Sequence, residues 1–587
     1  MALNPYTSVP RPKISRNSFD EYKANILSMD FGKIFPVATF EVLPGDTWSM
    51  DTAVVGRLTS ALKSPMLSGF DIRSAAFFCP YRLLMGSDAN FDVPVGEVNY
   101  EDVLKGGDDG TQDLTIPCLT SKGNSGSFSF TDSGIMDSLG QQIRFDSDHY
   151  VDFPPEFINV FLHRAYRWIW NEFFRVEQIE DEIQVAQFVG SNDSDDDSFI
   201  AMSEYDQLLP VSYKSDYFTS ALPYQQFGEA PAFPLEGKLP LEFNPLNSVL
   251  NGSRSSDIPK NAFFGKSLDY GVDDKALMFF DIAGGSGIPC TSGIVYEKGS
   301  GLTSSDDFLT GYVDLQNAVT FNVSDVRTAF QIQLWMERTA RGGLRYTELL
   351  LSHFGVTPGD YRLQRPLFLG QFSIPWYKSD VVQTSASSGS GSSVSPQGGQ
   401  TGQAICLGRS NFGKFTFKEY GLVLVLSWIL PKPIYQQGIE RQFYRKGRFD
   451  QYSPEFAHLS ERSIDLCELY LPKTVDNTLD VSNLFKEFGF TGIWNEFRTQ
   501  QSRIGNHART DAPDYTFDYW HQGRYFASEP MLNSDFMNVG SVDGSDSELA
   551  RPFAVQNEHP FIMHFEFNWK AKRPLPRYGT PGLVDHF

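Results

Sequence analysis

Near the C-terminus the chain alternates without a break: Phe561, Met563, Phe565, Phe567 and Trp569 fall on one side of an extended backbone, and Ile562, His564, Glu566 and Asn568 on the other. A period of two predicts a strand with one face in a core. Phe35 to Val42 reads as a second strand, closed by the turn Leu43-Pro44-Gly45-Asp46, and Ile72 to Pro80 as a third, closed by its own proline. From Phe415 to Leu430 the alternation of Phe415 and Phe417 with polar residues gives way to the nearly continuous run LVLVLSWIL. Such a run predicts a strand buried on both faces.

Helical spacing is confined to a few places. Apolar residues at 158, 161, 162, 165, 166, 169, 170 and 173 form a 3.6-residue stripe, predicting an amphipathic helix from Ile158 to Phe173. Its other face carries Asn159, His163, Arg167, Asn171 and Glu172, for which solvent is the default surrounding and a neighbouring subunit the alternative. Further on, Ser324 and Asp325 supply N-cap oxygens before Val326, Ala329, Phe330 and Leu334, and Gly342-Gly343 stops that helix. Tyr346 to Phe354 reads as another helix ending at Gly355. Residues 380 to 405 include a Gly/Ser/Gln-rich tract that cannot bury enough apolar area to fix its own conformation. It reads as a flexible loop or a segment ordered by a neighbour. There is no internal repeat. Strands near both ends, with helices and long loops between, predict a mainly β fold, an antiparallel sandwich with large insertions. Pattern alone does not separate a jelly roll from other sandwiches.

Composition agrees with many short strands and large loops. Hydrophobic residues make up 41% of the 587, Phe (50) and Tyr (25) are abundant, and Gly (49) and Pro (34) punctuate the chain often. The formal net charge of -23 argues against a protein that coats nucleic acid over a broad face. Any DNA contact must be local. Two short basic runs qualify: Arg11, Lys13 and Arg16 in an N-terminal segment without acids up to Phe19, and Lys570, Lys572, Arg573 and Arg577 between Trp569 and Tyr578. Both also read as solvated tails. Cys79, Cys118, Cys290, Cys406 and Cys467 are odd in number and never form CxxC, so neither a disulfide framework nor a zinc site is expected. The first residues lack the apolar core of a secretory signal, and no run approaches a membrane span. That combination suits maturation in a reducing cytoplasm.

Catalytic constellations are absent from the pattern. Nine histidines are scattered with no HExxH, and no GxSxG, GxxxxGK[ST] or GxGxxG turn occurs. Glu180-Asp181-Glu182 reads as a solvated face rather than as glycosidase carboxylates, which stand across a scissile bond. The best local motif is Asp193, Asp195, Asp197 and Glu204, at positions 1, 3, 5 and 12 of a calcium loop. Position 6, however, is Ser198 where the turn wants glycine, so an acidic surface loop is the simpler reading; bound calcium would stiffen an external insertion. Aromatic residues interleaved with basic ones, as in Tyr166-Arg167-Trp168 and Phe443-Tyr444-Arg445-Lys446, suit protein interfaces first and base stacking second.

Several blocks, in order along the chain, resemble one known family. They are FPVATFEVLPGDTW (Phe35 to Trp48), YRWIWNEFFR (Tyr166 to Arg175), YFTSALPYQQFG (Tyr217 to Gly228), the segment from Val326 to Pro366 with its helix, Arg-Gly-Gly, helix order, and RPLPRYGTPGL (Arg573 to Leu583). On these the chain resembles the major capsid proteins of the Microviridae, small tailless bacteriophages, in the gokushovirus-like branch. Residues 176 to 325 and 380 to 550 match only loosely. The resemblance implies an eight-stranded antiparallel viral jelly roll whose copies close into a T=1 icosahedral shell around circular single-stranded DNA, in a virion assembled in a bacterial cytoplasm. It implies no enzyme activity, no cofactor and no membrane insertion. The implied partners are further copies of the chain, the genome, a small basic packaging protein, other phage structural proteins and a host receptor.

On this reading residues 1–30 are an N-terminal arm, 31–175 the first part of the core, and 176–325 a large insertion taken as the surface protrusion. Residues 326–430 supply a helical inter-subunit segment, the Gly/Ser loop and core strands, 431–555 a second insertion, and 556–587 the last strand and tail. Arg341, Arg345, Arg362 and Arg365 are the expected inter-subunit cluster. Two other classes share the composition: a phage spike or receptor-binding protein, which forms a small closed oligomer, and a carbohydrate-active β-sandwich, in which the aromatics are sugar platforms. Neither accounts for the ordered blocks.

Overall fold

A computed structural model of the chain describes residues 15–85, 100–105, 111, 114–119, 128–130, 132–154, 157–185, 188–190, 199–229, 241–243, 263–264, 279–280, 311–313, 323–355, 359–360, 363–382, 400–474, 478–540, 548–556 and 558–578. The chain divides into two units, 1–229 with 335–587, and 230–334. Of the second, the described parts are the pairs Leu241–Phe243 with Gly311–Val313 and Phe263–Phe264 with Phe279–Phe280, and the start of a helix.

The first unit is built on two antiparallel sheets. The strands of these two sheets are β1 (Asn17–Met29), β2 (Phe35–Val42), β3 (Thr47–Leu58), β4 (Phe70–Pro80), β5 (Leu367–Pro375), β6 (Tyr377–Val382), β7 (Gln400–Thr416), β8 (Gly421–Pro431) and β9 (Phe561–Arg573). One sheet has the order β1-β9-β3-β7-β6 and the other β5-β4-β8-β2. The last strand therefore lies between the first and the third. β9 pairs with β1 over its whole length, from Phe561 opposite Met29 to Arg573 opposite Asn17. On its other side it pairs with β3 from Phe561 opposite Leu58 to Lys572 opposite Thr47. Residues 17–29, placed in an arm by the sequence reading, are thus an edge strand of this sheet.

The alternation of β9 carries the core. Phe561, Met563, Phe565, Phe567, Trp569 and Ala571 are all buried, while the residues between them are exposed or half-exposed. Trp569 stacks on Phe40 of the opposite sheet with centroids 4.2 Å apart, meets Trp48 edge-on at 5.9 Å, and donates its indole N–H to Thr52 Oγ1 at 3.1 Å. A second knot gathers Phe31, Phe70, Trp376 and Phe561 between the sheets. Bulky rings on both inner faces leave no room for a side chain at one position. At Gly56 a Cβ would fall 2.5 Å from Met563 Sδ and 2.8 Å from Trp376. β8, the strand read as doubly buried, is covered on nearly its whole length and lies between β4 and β2.

Helix α1 (Phe161–Ile169) continues as a wider turn through Phe174, where Arg175 N–H donates to Trp170 C=O at 3.0 Å. Its polar face corrects the sequence reading, which gave it to solvent. His163, Arg167 and Asn171 are buried. His163 Nε2 lies 2.9 Å from Asp206 Oδ1, Arg167 Nε donates to Gln184 C=O at 2.9 Å, and the Asn171 amide bonds both the N–H and the C=O of Ile183. Ile183, Gln184, Glu204 and Asp206 supply the partners, which removes most of the cost of burying polar groups. Residues 176–229, assigned by sequence to the large insertion, belong to the same unit as the sandwich.

A smaller core is supplied mainly by the connection between β8 and β9. Tyr435, Ile464, Leu469, Phe488, Phe536 and Met537 pack together with the earlier Tyr217 and Phe218, so the described part of the 432–560 connection is a folded lobe. Among the described residues Cys79, Cys406 and Cys467 are free thiols, and no helix is long and apolar enough to cross a membrane.

Trp569→Ala removes a ring 1% exposed together with its hydrogen bond to Thr52. Urea unfolding of the isolated subunit is expected to show a loss of about 3–5 kcal/mol, the range for large aromatic truncations in a core. A loss below about 1 kcal/mol would contradict the role given to this strand.

Candidate functional site

The sheet register assembles a basic surface that the sequence only half displays. Lys570 and Lys572 point outward on β9 and are exposed. Lys570 is opposite Ser49 of β3, and Ser49 is opposite Lys414 of β7. In the next row Lys572 is opposite Thr47, whose hydroxyl lies 3.0 Å from that of Thr416. Neighbouring strands are about 4.8 Å apart, so Lys570 and Lys414 flank Ser49 at about 10 Å, with Lys572 about 7 Å along the strand. Exposed Arg16 stands beside the β2–β3 turn, where a Cβ on Gly45 would come 3.1 Å from its guanidinium. Asp20, opposite Lys570, is the acid in these rows. Three ammonium groups among serine and threonine hydroxyls suit a phosphate backbone, which is held by charge and by hydroxyl donors.

The other basic candidates fall elsewhere. Arg573 is built into the fold: it donates to Glu41 C=O at 2.7 Å, lies 3.2 Å from buried Asp46 and 3.6 Å from Glu21, and covers Trp48 at 4.8 Å. Asp46 in turn accepts from Trp48 Nε1 at 3.0 Å and Leu43 N–H at 3.1 Å, which ties the β2–β3 turn to the end of β9. Arg577 is exposed beyond the strand. Arg11 and Lys13 lie outside the described residues. Sequence reasoning missed Lys414 because its only signal, an outward place in an alternating strand, is shared by many residues; the β9-β3-β7 register brings it to the other lysines.

The expected arginine cluster sits on helices α2 (Val323–Gly342) and α3 (Tyr346–Phe354) and the segment after them. Ser324 and Asp325 fall inside the first turn of α2 rather than before it. Arg345 donates to the C=O groups of Asn171 and Arg175, at 3.1 and 2.6 Å, and pairs with Glu348 at 3.2 Å. Its backbone N–H also donates to the Glu348 carboxylate, which caps the first turn of α3 from within. Arg365 pairs with Asp360 at 2.8 Å and Glu172 at 3.5 Å and lies over Phe173. Arg341 donates to buried Glu461 at 2.7 Å, yet its side chain keeps 62% of its exposure. These three hold the helical pair onto α1 and the 432–560 lobe. Arg362 lies outside the described residues. The Gly-Gly stop has a steric cause: a Cβ on Gly343, at φ +98°, would fall 2.2 Å from the Glu348 carboxylate, and one on Gly342 2.4 Å from Ser352.

Asp193, Asp195 and Asp197 lie outside the described residues. Glu204 is exposed at the rim of a polar hollow of about 410 Å³ shared with Lys33, Asp132, Ser133 and Gln207. Among the described residues no three His, Cys, Asp or Glu side chains are grouped to hold a metal. The His163–Asp206 pair has the geometry of the base-orienting half of a hydrolase triad. Both side chains are fully buried, with the imidazole sandwiched between Phe130 and Tyr205, so no substrate reaches them.

The capsid protein (F protein) family matches residues 7–583, a span that includes both sheets and every long connection. The chain belongs to this capsid family. It is 30% identical to capsid protein VP1 of Chlamydia phage 1, over 99% of this chain and 98% of that one. It is 27% identical to capsid protein VP1 of Bdellovibrio phage phiMH2K, with 99% and 98% covered, and 27% identical to capsid protein VP1 of Spiroplasma virus 4, with 95% and 93% covered. The microvirus resemblance read from the sequence blocks is borne out over nearly the whole chain. For a capsid-family subunit, side chains that hold helices together and side chains left on the surface have separate tasks, and Arg345 and Arg365 fall in the first group.

Arg345→Ala is expected to destabilise the folded subunit by about 1–3 kcal/mol, because it leaves two carbonyls and the Glu348 carboxylate short of a donor. Denaturant titration before any assembly step reads this directly. An unchanged midpoint with failed particle formation would return Arg345 to the list of interface residues.

Proposed function

We propose that this chain is the major capsid protein of a small tailless phage, and that its copies close into a T=1 icosahedral shell around circular single-stranded DNA. The observation that carries the reading is the family match over residues 7–583, which takes in the insertions as well as the sandwich. The strand order supports it. Without β6, the sheets read β1-β9-β3-β7 and β5-β4-β8-β2, and the chain passes between them at every step except β4–β5. This order fits the double Greek key that an eight-stranded jelly roll requires, and we read the sandwich as one. β6 is then the continuation of β5 past Trp376, carried over into the facing sheet.

The activity is assembly rather than catalysis. Many modest contacts per subunit sum to a stable closed shell, since each added contact in a ring or cage is made at high effective concentration. A subunit of net charge -23 repels both its neighbours and a polyanion, so apolar contact must drive closure and DNA must meet local cations. We assign the Lys414, Lys570 and Lys572 end of the five-stranded sheet, with Arg16 beside it, to the genome side. Arg11 and Lys13 precede Arg16 and extend the same charge. A small basic packaging protein would supply the remaining neutralisation. Residues 230–334, within the 176–325 interval expected to protrude and extending a little past it, are the candidate outward protrusion that meets the host receptor.

Electron microscopy of the purified protein, with the 260/280 nm absorbance ratio of the large species, tests the shell. Uniform icosahedral particles with excess 260 nm absorbance are expected, with co-expressed phage structural proteins where the chain alone stays small. Persistent small oligomers in both cases would overturn the reading in favour of a spike. For the DNA face, the combined Lys414→Glu, Lys570→Glu and Lys572→Glu variant is expected to weaken binding of a single-stranded oligonucleotide. Its slope of log K against log salt should be shallower by roughly 2, from about 0.7 per lost phosphate contact. An unchanged slope would remove this sheet end from the genome side.

A further inference from the structure

Residues 441–450 form an exposed knob on the 432–560 lobe, and its construction is unusual for a surface loop. The stretch RQFYRKGRF carries four basic residues and no acid, and the fold buries Arg441 and half-buries Arg445. Arg441, 5% exposed, donates to Asp465 at 2.7 Å, Ser463 C=O at 3.1 Å and the Tyr444 hydroxyl at 3.0 Å, and lies 3.3 Å from Glu468. Burial alone would lower the Arg441 guanidinium, but Glu468, Tyr444 and Asp465 outweigh it and keep the side chain charged. Tyr444 donates to Asp465 at 2.8 Å, and Tyr217 donates to Glu468 at 3.0 Å from the smaller core. Arg445 pairs with Glu496 at 2.8 Å and covers Phe497 at 4.3 Å. Asp450 accepts the backbone N–H groups of Gly447 at 2.7 Å and Lys446 at 3.1 Å, which hold its carboxyl below the usual range. The loop is thus pinned from within.

What it presents outward is the opposite of a solvated turn. Phe443 is 73% exposed and Phe449 64%, with the Arg448 guanidinium over the Phe449 ring at 4.5 Å. Lys446 and Arg448 are exposed and have no carboxylate partner among the described residues. Tyr452, Phe485 and Phe497, all more than half exposed, surround the base of the knob within ring-contact distance of Tyr444, Trp494 or each other. Isolated exposed rings are ordinary; five on and around one internally pinned loop are not.

We propose that this knob is a preformed contact that docks on a second copy of the chain, its two phenyl rings entering an apolar recess and Lys446 and Arg448 meeting acidic side chains. The inference rests on the capsid reading and names one of the contacts that reading requires. Three features favour a copy of the chain over nucleic acid. Exposed rings outnumber free cations here, whereas a stacking platform for a single strand needs a cation for each phosphate it tracks. The knob is cationic on a chain of net charge -23, so the surface of another copy is its electrostatic complement. Aromatic and arginine side chains locked in place before binding lose little freedom on docking and are the usual anchors of protein interfaces.

Particle formation by wild type, by the Phe443→Asp and Phe449→Asp double variant, and by the Lys446→Glu and Arg448→Glu double variant tests this. Both variants are expected to keep the wild-type unfolding midpoint and to reduce the assembled fraction about tenfold or more. A photo-crosslinking phenylalanine analogue at position 443 keeps the ring and covers the case in which a variant does not fold; in assembled particles it is expected to give a covalent dimer of the chain. Normal assembly by both folded variants would overturn the proposal, as would crosslinking of position 443 to DNA. Absence of particles from wild type under all conditions would instead remove the capsid reading, and the knob proposal with it.

Discussion

Everything in the sandwich depends on the insertion of the last strand between the first and the third. β9 makes backbone hydrogen bonds to β1 and β3 along its whole length and places five aromatic or sulfur-bearing side chains and an alanine in the core. Without it, β1 has no partner and β3 loses one edge. The constraint is non-local in the extreme, since Asn17 must find Arg573. Closure of so long a loop is entropically costly and slow, and the reward comes only when the aromatic face of β9 packs on Phe40, Trp48 and Phe70. The Arg573 contacts to Asp46, Glu41 and Glu21 then fix the far end of the strand against the β2–β3 turn.

That placement also decides where positive charge can accumulate. A one-residue slip of β9 would turn Lys570 and Lys572 inward and Trp569 outward. Because Trp569, Phe567 and Phe565 hold the register through burial, the lysines are held to the outer face and come opposite β3, across which Lys414 lies. Core packing and surface electrostatics are therefore one constraint at this end of the sheet. In an acidic chain this matters, because a few cations held in fixed rows act on a phosphate backbone more effectively than the same number on loose tails.

The elements with strong period were legible in the sequence. Phe35–Val42 and Tyr346–Phe354 have the boundaries that alternation and the Gly355 stop predict, and the apolar run at 422–430 is the buried centre of its sheet. The family was legible too, because the quoted blocks carry specific residues in order. The polar face of α1 was not. His163, Arg167 and Asn171 have the spacing of a solvated face, and only contacts with the later residues Ile183, Gln184 and Asp206 make them interior. The arginines of the Arg-Gly-Gly region present the same difficulty: residue type suggests contact, but the partner, within the subunit or beyond it, is set by tertiary structure. Lys414 escaped notice for the converse reason, since it acquires neighbours only through pairing.

The two kinds of arginine suggest how a chain with long insertions keeps its assembly surfaces distinct. Arg345, Arg365 and Arg441 each reach several acceptors inside the subunit, which is the use that a planar guanidinium with five donors serves best. Held in this way, they fix the orientation of loops that have little apolar core of their own. Arg448 and Lys446 stand at the end of such a loop with no carboxylate partner among the described residues and with exposed rings beside them. A loop that is internally satisfied yet externally apolar gains little from rearranging when alone and much from contact. Rigidity below and unsatisfied surface above are thus complementary conditions: the first lowers the entropy lost on docking, and the second supplies the driving force.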